Sequence, residues 1–192
     1  AAVRLLSGGE GVDLVDDGIV VTVIFGGGHG RDGAVASEGA CLLVLENRLH
    51  AEARGAQIMG RLLGYGRRCE PCTEAQHPTG QAVRQAAEAA LNMAGLDPRE
   101  VGHVNAHGLS TREDDAAEAQ AIRQVLGDVP VTAPKSYLGN SGAGSGAIEL
   151  AISLLGMEQG LIPPTLNYNR PDPNCPVEVD FNRALFCVKW RD

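Results

Sequence analysis

The chain has 192 residues, 44% of them hydrophobic, 21% charged and only 4% aromatic. That is a soluble globular composition of one-domain size, with a core to be built from Ala, Val, Leu and Ile. A formal net charge of −8 argues against a nucleic-acid partner, since phosphates would be repelled and no Lys/Arg run offsets this. No apolar stretch approaches the roughly 20 residues that span a bilayer, and Ala1–Gly8 lacks a signal peptide's apolar centre; no membrane partner is expected, and cytoplasm is the expected compartment.

Residues 1–30 read poorly. Gly18 to Phe25 is β-branched and apolar enough for a strand, and Gly26-Gly27-Gly28-His29-Gly30 follows it. That glycine run fails as a phosphate loop, because Arg31 occupies the sixth position of GxGxxG and no helical pattern follows. Cys41 to Leu45 is a continuous apolar run, the pattern of a strand buried on both faces. Asn47 can cap a short helix that Gly55 closes, and Gln57 to Gly66 reads as another strand. Cys69-Glu70-Pro71-Cys72 is a lone CxxC. With neither a second ligand pair nor a thioredoxin-like context it predicts free thiols and no metal site, and an odd total of five cysteines predicts no disulfide framework.

Gly80 to Ala94 is the clearest predicted helix, with Val83, Ala86, Ala87, Ala90 and Leu91 at helical spacing. Val101 to Ala106 is a short strand ending at His107. A capping box follows, Thr111-x-x-Asp114 or Ser110-x-x-Glu113, and opens a helix carrying Ala119, Ile122, Val125 and Leu126. Val129 to Ala133 is a strand that delivers Lys135. A long helix from about Gly144 to Met157 has Ile148, Ala151, Ile152 and Leu155 on one face, and the tail is Pro-rich. Strand and helix alternate, so the expected class is α/β with a sheet covered on both faces.

His107, Lys135 and Asn140 are the candidate catalytic residues, each at or just beyond the end of a predicted strand, where α/β sheets build their sites. His107 could be a structural histidine or a donor to a developing oxyanion. The Asn140 amide could steady the same oxygen without changing charge, and the Lys135 ammonium could anchor a carboxylate or carbonyl. Asp115 and Glu118 share one helix face, either as a solvated acidic surface or with one of them orienting Lys135 through a buried ion pair.

Four stretches together resemble the β-ketoacyl-ACP synthases, the ketosynthases of fatty-acid and polyketide synthesis. Asn105-Ala106-His107-Gly108-Leu109-Ser110-Thr111 is similar to that family's N-A-H-G-T-S/G-T, and Asp115 and Glu118 fall at its offsets of eight and eleven after the histidine. Lys135-Ser136-Tyr137-Leu138-Gly139-Asn140-Ser141-Gly142-Ala143-Gly144-Ser145-Gly146 resembles K-S-x-x-G-H-x-x-G-A-x-G. Arg31 to Glu46 resembles R-D-G-x-V-x-G-E-G-A-x-x-L-V-L-E, and Ile162 to Asn167 resembles I-P-P-T-x-N.

The resemblance implies a thiolase-like fold: a layered α-β-α half with a mixed, mostly parallel sheet, residues 31–192 forming the C-terminal domain. It implies decarboxylative condensation of malonyl-ACP with an acyl thioester, no cofactor, and substrates carried on the phosphopantetheine of an acyl carrier protein. The implied partners are that carrier protein, an N-terminal ketosynthase half bearing the nucleophilic cysteine, and a second subunit in a homodimer or heterodimer. By position His107 is the family's first histidine, Lys135 its lysine and Thr111 its second threonine, a pantetheine contact; Asp115 and Glu118 are supporting residues. Two departures stand out: Asn140 replaces the second histidine of most elongating members, and Leu109 replaces the first threonine. Asn140 is compatible with a Cys-His-Asn site or with a non-condensing, chain-length-factor-like relative. Without the cysteine half, this chain alone is expected to be inactive.

Overall fold

The computed structural model describes residues 2–5, 34–70, 78–168 and 171–179. The expected strand at Gly18 to Phe25, the glycine run with His29, Cys72, and the tail from Phe181 lie outside the described residues.

Three short strands, β4 (Val104–Asn105), β5 (Pro130–Thr132) and β6 (Glu178–Val179), form a parallel sheet with β5 in the middle. The Ala106 N–H donates to the Thr132 carbonyl at 2.8 Å, so the ladder runs up to the residue before His107. Alternation along β4 sorts its side chains between two faces. Val104 and Ala106 pack with Val129, Val131 and with Ile122 and Leu126 of α3 (Arg112–Leu126). Asn105 turns the other way and reaches α5 (Ser145–Gln159). The sheet therefore lies between α3 and α5, the layered arrangement expected of an α/β half, and each aliphatic side chain fully buried there stabilises it by roughly 1.5–3 kcal/mol. Outside α3 packs α2 (Gln81–Ala94), entered through Gly80 at φ 78. A Cβ at Gly80 would overlap the Ala117 carbonyl of α3, so the two helices meet backbone to backbone there.

The antiparallel pairing is gathered in a second sheet of order β2–β1–β3, with β1 (Ala2–Leu5) between β2 (Leu43–Glu46) and β3 (Gly60–Arg61). β1 is a strand the sequence reading left unassigned. The run from Cys41 to Leu45 was expected to be buried on both faces and is not: Leu43 is buried, Leu42 just before the strand is exposed, and among the described residues β2 stands at the edge of its sheet. An antiparallel edge strand covers one face only. The expected strand from Gln57 to Gly66 shrinks to β3. Beyond it the chain leaves the sheet to lie against α2, with Gly64 over Ala90 and Gly66 over Ala86 so closely that no Cβ would fit. Asn47 caps α1 (Arg48–Ala53) as expected, its Oδ1 accepting the Leu49 N–H at 2.9 Å.

α5 packs on β2 with Ala147 and Leu154, which cluster with Leu43, and on β4 through Asn105. The buried face is thus Ala147, Ala151 and Leu154; the face predicted to end at Leu155 is corrected, because Leu155 is exposed. Apolar residues surround this helix almost completely, so periodicity alone does not pick the buried side.

Candidate active site

The first part of the site is a loop stretched between β4 and α3. Gly108 (φ 51) and Ser110 (φ 70) both take left-handed backbone to turn the chain sharply after the strand. Carboxylates from the first turns of α3 hold that turn. Glu118 accepts the His107 N–H at 2.7 Å and the Gly108 N–H at 2.9 Å, and Asp115 accepts the Ser110 N–H at 3.0 Å. Thr111 is the α3 N-cap: its buried hydroxyl accepts the Asp114 N–H at 3.2 Å and donates to the Asp114 carboxylate. The capping pair is therefore Thr111 with Asp114.

Lys135 opens the short helix α4 (Lys135–Leu138) directly after β5, and its ammonium has three acceptors. They are the His107 carbonyl at 2.8 Å, His107 Nδ1 at 3.2 Å, and the Glu149 carboxylate. An ammonium has only donors, so Nδ1 must present its lone pair; the proton of a neutral His107 ring is then on Nε2, leaving that nitrogen as a donor. The Lys135 side chain is 7% exposed and Glu149 15%, so the pair is largely out of water. The possible ion pair of Lys135 with Asp115 or Glu118 is corrected: the partner is Glu149, and the two α3 carboxylates bind loop N–H groups instead. Glu149 carries a visible signal, being an isolated carboxylate among the apolar residues of α5. His107 sits at the rim, yet burial of its ring, and then the Lys135 charge, lower its pKa against the opposing pull of Glu149, Asp114 and Asp115. Burial and the Lys135 charge thus favour the neutral imidazole.

Asn140 follows α4 across Gly139, and three of the recognised stretches meet there. The Asn140 N–H donates to the Val35 carbonyl at 2.7 Å, and its carbonyl accepts the Ser37 N–H at 3.0 Å, a parallel bridge centred on Ala36. Its side-chain Oδ1 accepts from the Gly142 N–H at 3.0 Å and the Ser145 hydroxyl at 3.1 Å. Those bonds fix which end of the amide is which, and Nδ2 remains as the donor end. The Ile162 to Asn167 stretch closes over the same place, with Thr165 accepting the Ala133 N–H at 3.0 Å and Ser136 accepting the Leu166 N–H at 2.9 Å.

A cleft of about 680 Å³ lies between these loops, lined by Gly108, Leu109, Lys135, Asn140, Asn167 and Tyr168, with Val35, Leu138 and Leu166 giving it an apolar side. Lys135 and Asn140 share that lining. His107 is joined to it through Lys135, and Thr111 stands one residue beyond Ser110, which lines it. The arrangement offers neutral N–H donors, one buried ammonium and an apolar wall, a set suited to steadying a carbonyl oxygen that gains charge.

Cys69 is exposed and does not line the cleft, and Cys41 is half-buried just before β2, where burial raises its thiol pKa. Among the described residues no group of three or more His, Cys, Asp or Glu could hold a metal ion, and no helix is long and apolar enough to cross a membrane.

A family model described as "Beta-ketoacyl synthase, C-terminal domain" matches residues 59–169. The chain is 39% identical over 153 residues to the oxytetracycline polyketide putative beta-ketoacyl synthase 1 of Streptomyces rimosus, covering 77% of this chain and 36% of that protein. It is also 39% identical over 153 residues to 3-oxoacyl-[acyl-carrier-protein] synthase 2 of Synechocystis, covering 77% and 37%. The chain thus spans about a third of the length of these curated relatives. Among solved structures, a beta-ketoacyl synthase from Burkholderia phymatum aligns with TM-score 0.78 at 36% identity, over 87% of this chain and 41% of that one. The ishigamide ketosynthase/chain length factor aligns with TM-score 0.74 at 34% identity, over 96% and 48%. A type II polyketide acyl-carrier protein in complex with its ketosynthase aligns with TM-score 0.72 at 34% identity, over 86% and 41%. With the thiolase-like layers, the four stretches converging on one cleft and these matches together, the chain belongs to the β-ketoacyl synthase family, as its C-terminal domain.

Proposed function

We propose that the chain supplies the C-terminal half of the active site of a 3-oxoacyl-ACP synthase, which joins malonyl-ACP to an acyl thioester by decarboxylative Claisen condensation. The observation that carries this reading is the contact of Lys135 with both His107 and Glu149, beside a cleft that Lys135 shares with Asn140. In the reaction the bond to the malonyl carboxylate breaks, CO2 leaves, and the electron pair forms a thioester enolate. His107 Nε2–H and Asn140 Nδ2–H donate to the enolate oxygen, and Lys135, held by Glu149, fixes the His107 tautomer that makes this possible. The enolate carbon then attacks the acyl thioester, and the thiolate departs.

The acyl group is held by a cysteine of an N-terminal half, so this chain alone does not condense. It uses no cofactor. Substrates arrive on the phosphopantetheine arm of an acyl carrier protein, and Thr111, at the foot of the loop whose Ser110 lines the cleft, is assigned to the side that arm enters by. The complete protein works as a dimer in the cytoplasm, in fatty-acid or polyketide synthesis.

A second reading, a chain-length-factor-like partner that shapes the acyl pocket of a true synthase, is favoured by one feature: Asn140 in place of a histidine. The test is β-ketoacyl product formation by the natural protein containing this chain. On the condensing reading Asn140→His preserves or raises product, and Asn140→Ala lowers it about 100-fold. No product from the natural protein or from Asn140→His supports the partner reading.

A further inference from the structure

The Glu149 turn of α5 is also bonded from a third place, outside α4 and the loop. Asn105, on β4, points away from the α3 face and into α5. Its Nδ2 donates to the Glu149 carbonyl at 2.9 Å and to the Ser153 hydroxyl at 2.8 Å, and Ser153 in turn donates to the Glu149 carbonyl at 3.0 Å. The three groups form a closed triangle around the main chain of the residue whose carboxylate binds Lys135. Reversing the amide would set its oxygen against the Glu149 carbonyl, which can only accept, so Nδ2 is the end that faces it. In the orientation observed, Asn105 Oδ1 is buried with no hydrogen-bond partner. A buried amide left half-satisfied is a poor choice for packing alone, where an aliphatic side chain of the same size avoids the desolvation cost. What the asparagine adds is its pair of N–H donors, and both are directed to the Glu149 turn of α5.

We propose that Asn105 is a positioning residue: through the Glu149 main chain and Ser153 it sets the register of α5 on β4, so that the Glu149 carboxylate meets Lys135 and Lys135 meets His107. The strand that ends at His107 thereby also fixes the counter-ion of the lysine bound to that histidine. The role in catalysis rests on the condensing reading; the positioning itself does not, and its test needs no turnover.

The test is an NMR titration of the His107 ring in 13C/15N-histidine-labelled protein, for wild type, Glu149→Gln, Asn105→Leu and the double variant. Glu149 raises the His107 pKa against the opposing effects of burial and Lys135, so Glu149→Gln lowers the midpoint. Asn105→Leu keeps the branched shape and removes the donors; it is expected to lower the midpoint in the same direction, by about half a pH unit. The double variant is expected to titrate with Glu149→Gln, because Asn105 acts through that carboxylate. A merely structural asparagine would leave the midpoint unmoved or give additive shifts, and either result overturns the proposal. Should Asn105→Leu fail to fold, Ser153→Ala, which removes one of the two acceptors, is read by the same criterion: a lowered midpoint supports the clamp and an unmoved one overturns it. Failure of the condensing reading shows separately, as no CO2 release from malonyl-ACP by the wild-type natural protein, whatever the His107 midpoints do.

Discussion

The Lys135 ammonium lies between the carboxylate of Glu149 and the backbone carbonyl of His107, 2.8 Å from the latter, with both charged side chains largely withdrawn from solvent. Removing one partner of such a pair strands a charge, whereas replacing both with apolar groups does not. Glu149→Ala is therefore expected to destabilise the protein by about 3–5 kcal/mol, and Lys135→Met with Glu149→Leu by much less. Urea denaturation of the single and double variants checks this.

The depressed pKa of His107 has a pH consequence. A histidine that resists protonation in the folded state binds protons more readily when unfolded, so stability is complete above the unfolded value near 6.5 and declines as pH falls below it. The ring should titrate below 6.5. Lys135→Gln should raise the midpoint only part of the way, because burial is the larger cause. The 13C shifts of the ring give both values.

Much of the site was legible because chemistry-bearing residues stand at strand ends, as His107 and Lys135 do. The α/β class followed from the alternation that became β4, α3 and β5. Glu149 was not legible as the partner of Lys135, since its place depends on how α5 crosses β4 and on the Asn105 contact, both tertiary facts. Asp115 and Glu118 were read as possible partners of Lys135 because spacing puts them on one helix face; spacing does not say that the loop before the helix has N–H groups to satisfy. The edge position of β2 was hidden for a related reason: its partner β1 lies some 40 residues upstream in a stretch with no clear pattern.

Glu118 holds the turn after β4 with two backbone bonds. Glu118→Ala leaves the His107 and Gly108 N–H groups to water at this partly open rim, at a cost of about 1–2 kcal/mol. Hydrogen exchange at those two amides should quicken more than at Thr132, in the sheet below.

Gly139 and Gly55 both have positive φ, at 74° and 69°, but their surroundings differ. A Cβ at Gly139 would lie 2.8 Å from the Val35 carbonyl oxygen and 2.9 Å from Ser37 Cβ, while at Gly55 nothing lies within 4 Å. Gly55→Ala is expected to cost about 1 kcal/mol of backbone strain and Gly139→Ala about 3 kcal/mol, with loss of exchange protection at Ser37 and Asn140 in the second case only.

The most direct measurement is CO2 release from malonyl-ACP by the natural protein containing this chain, wild type against His107→Ala. If His107 donates to the enolate oxygen, the variant loses about 100-fold or more of the rate while malonyl-ACP binding persists. A His107→Ala protein that decarboxylates at the wild-type rate contradicts the assignment.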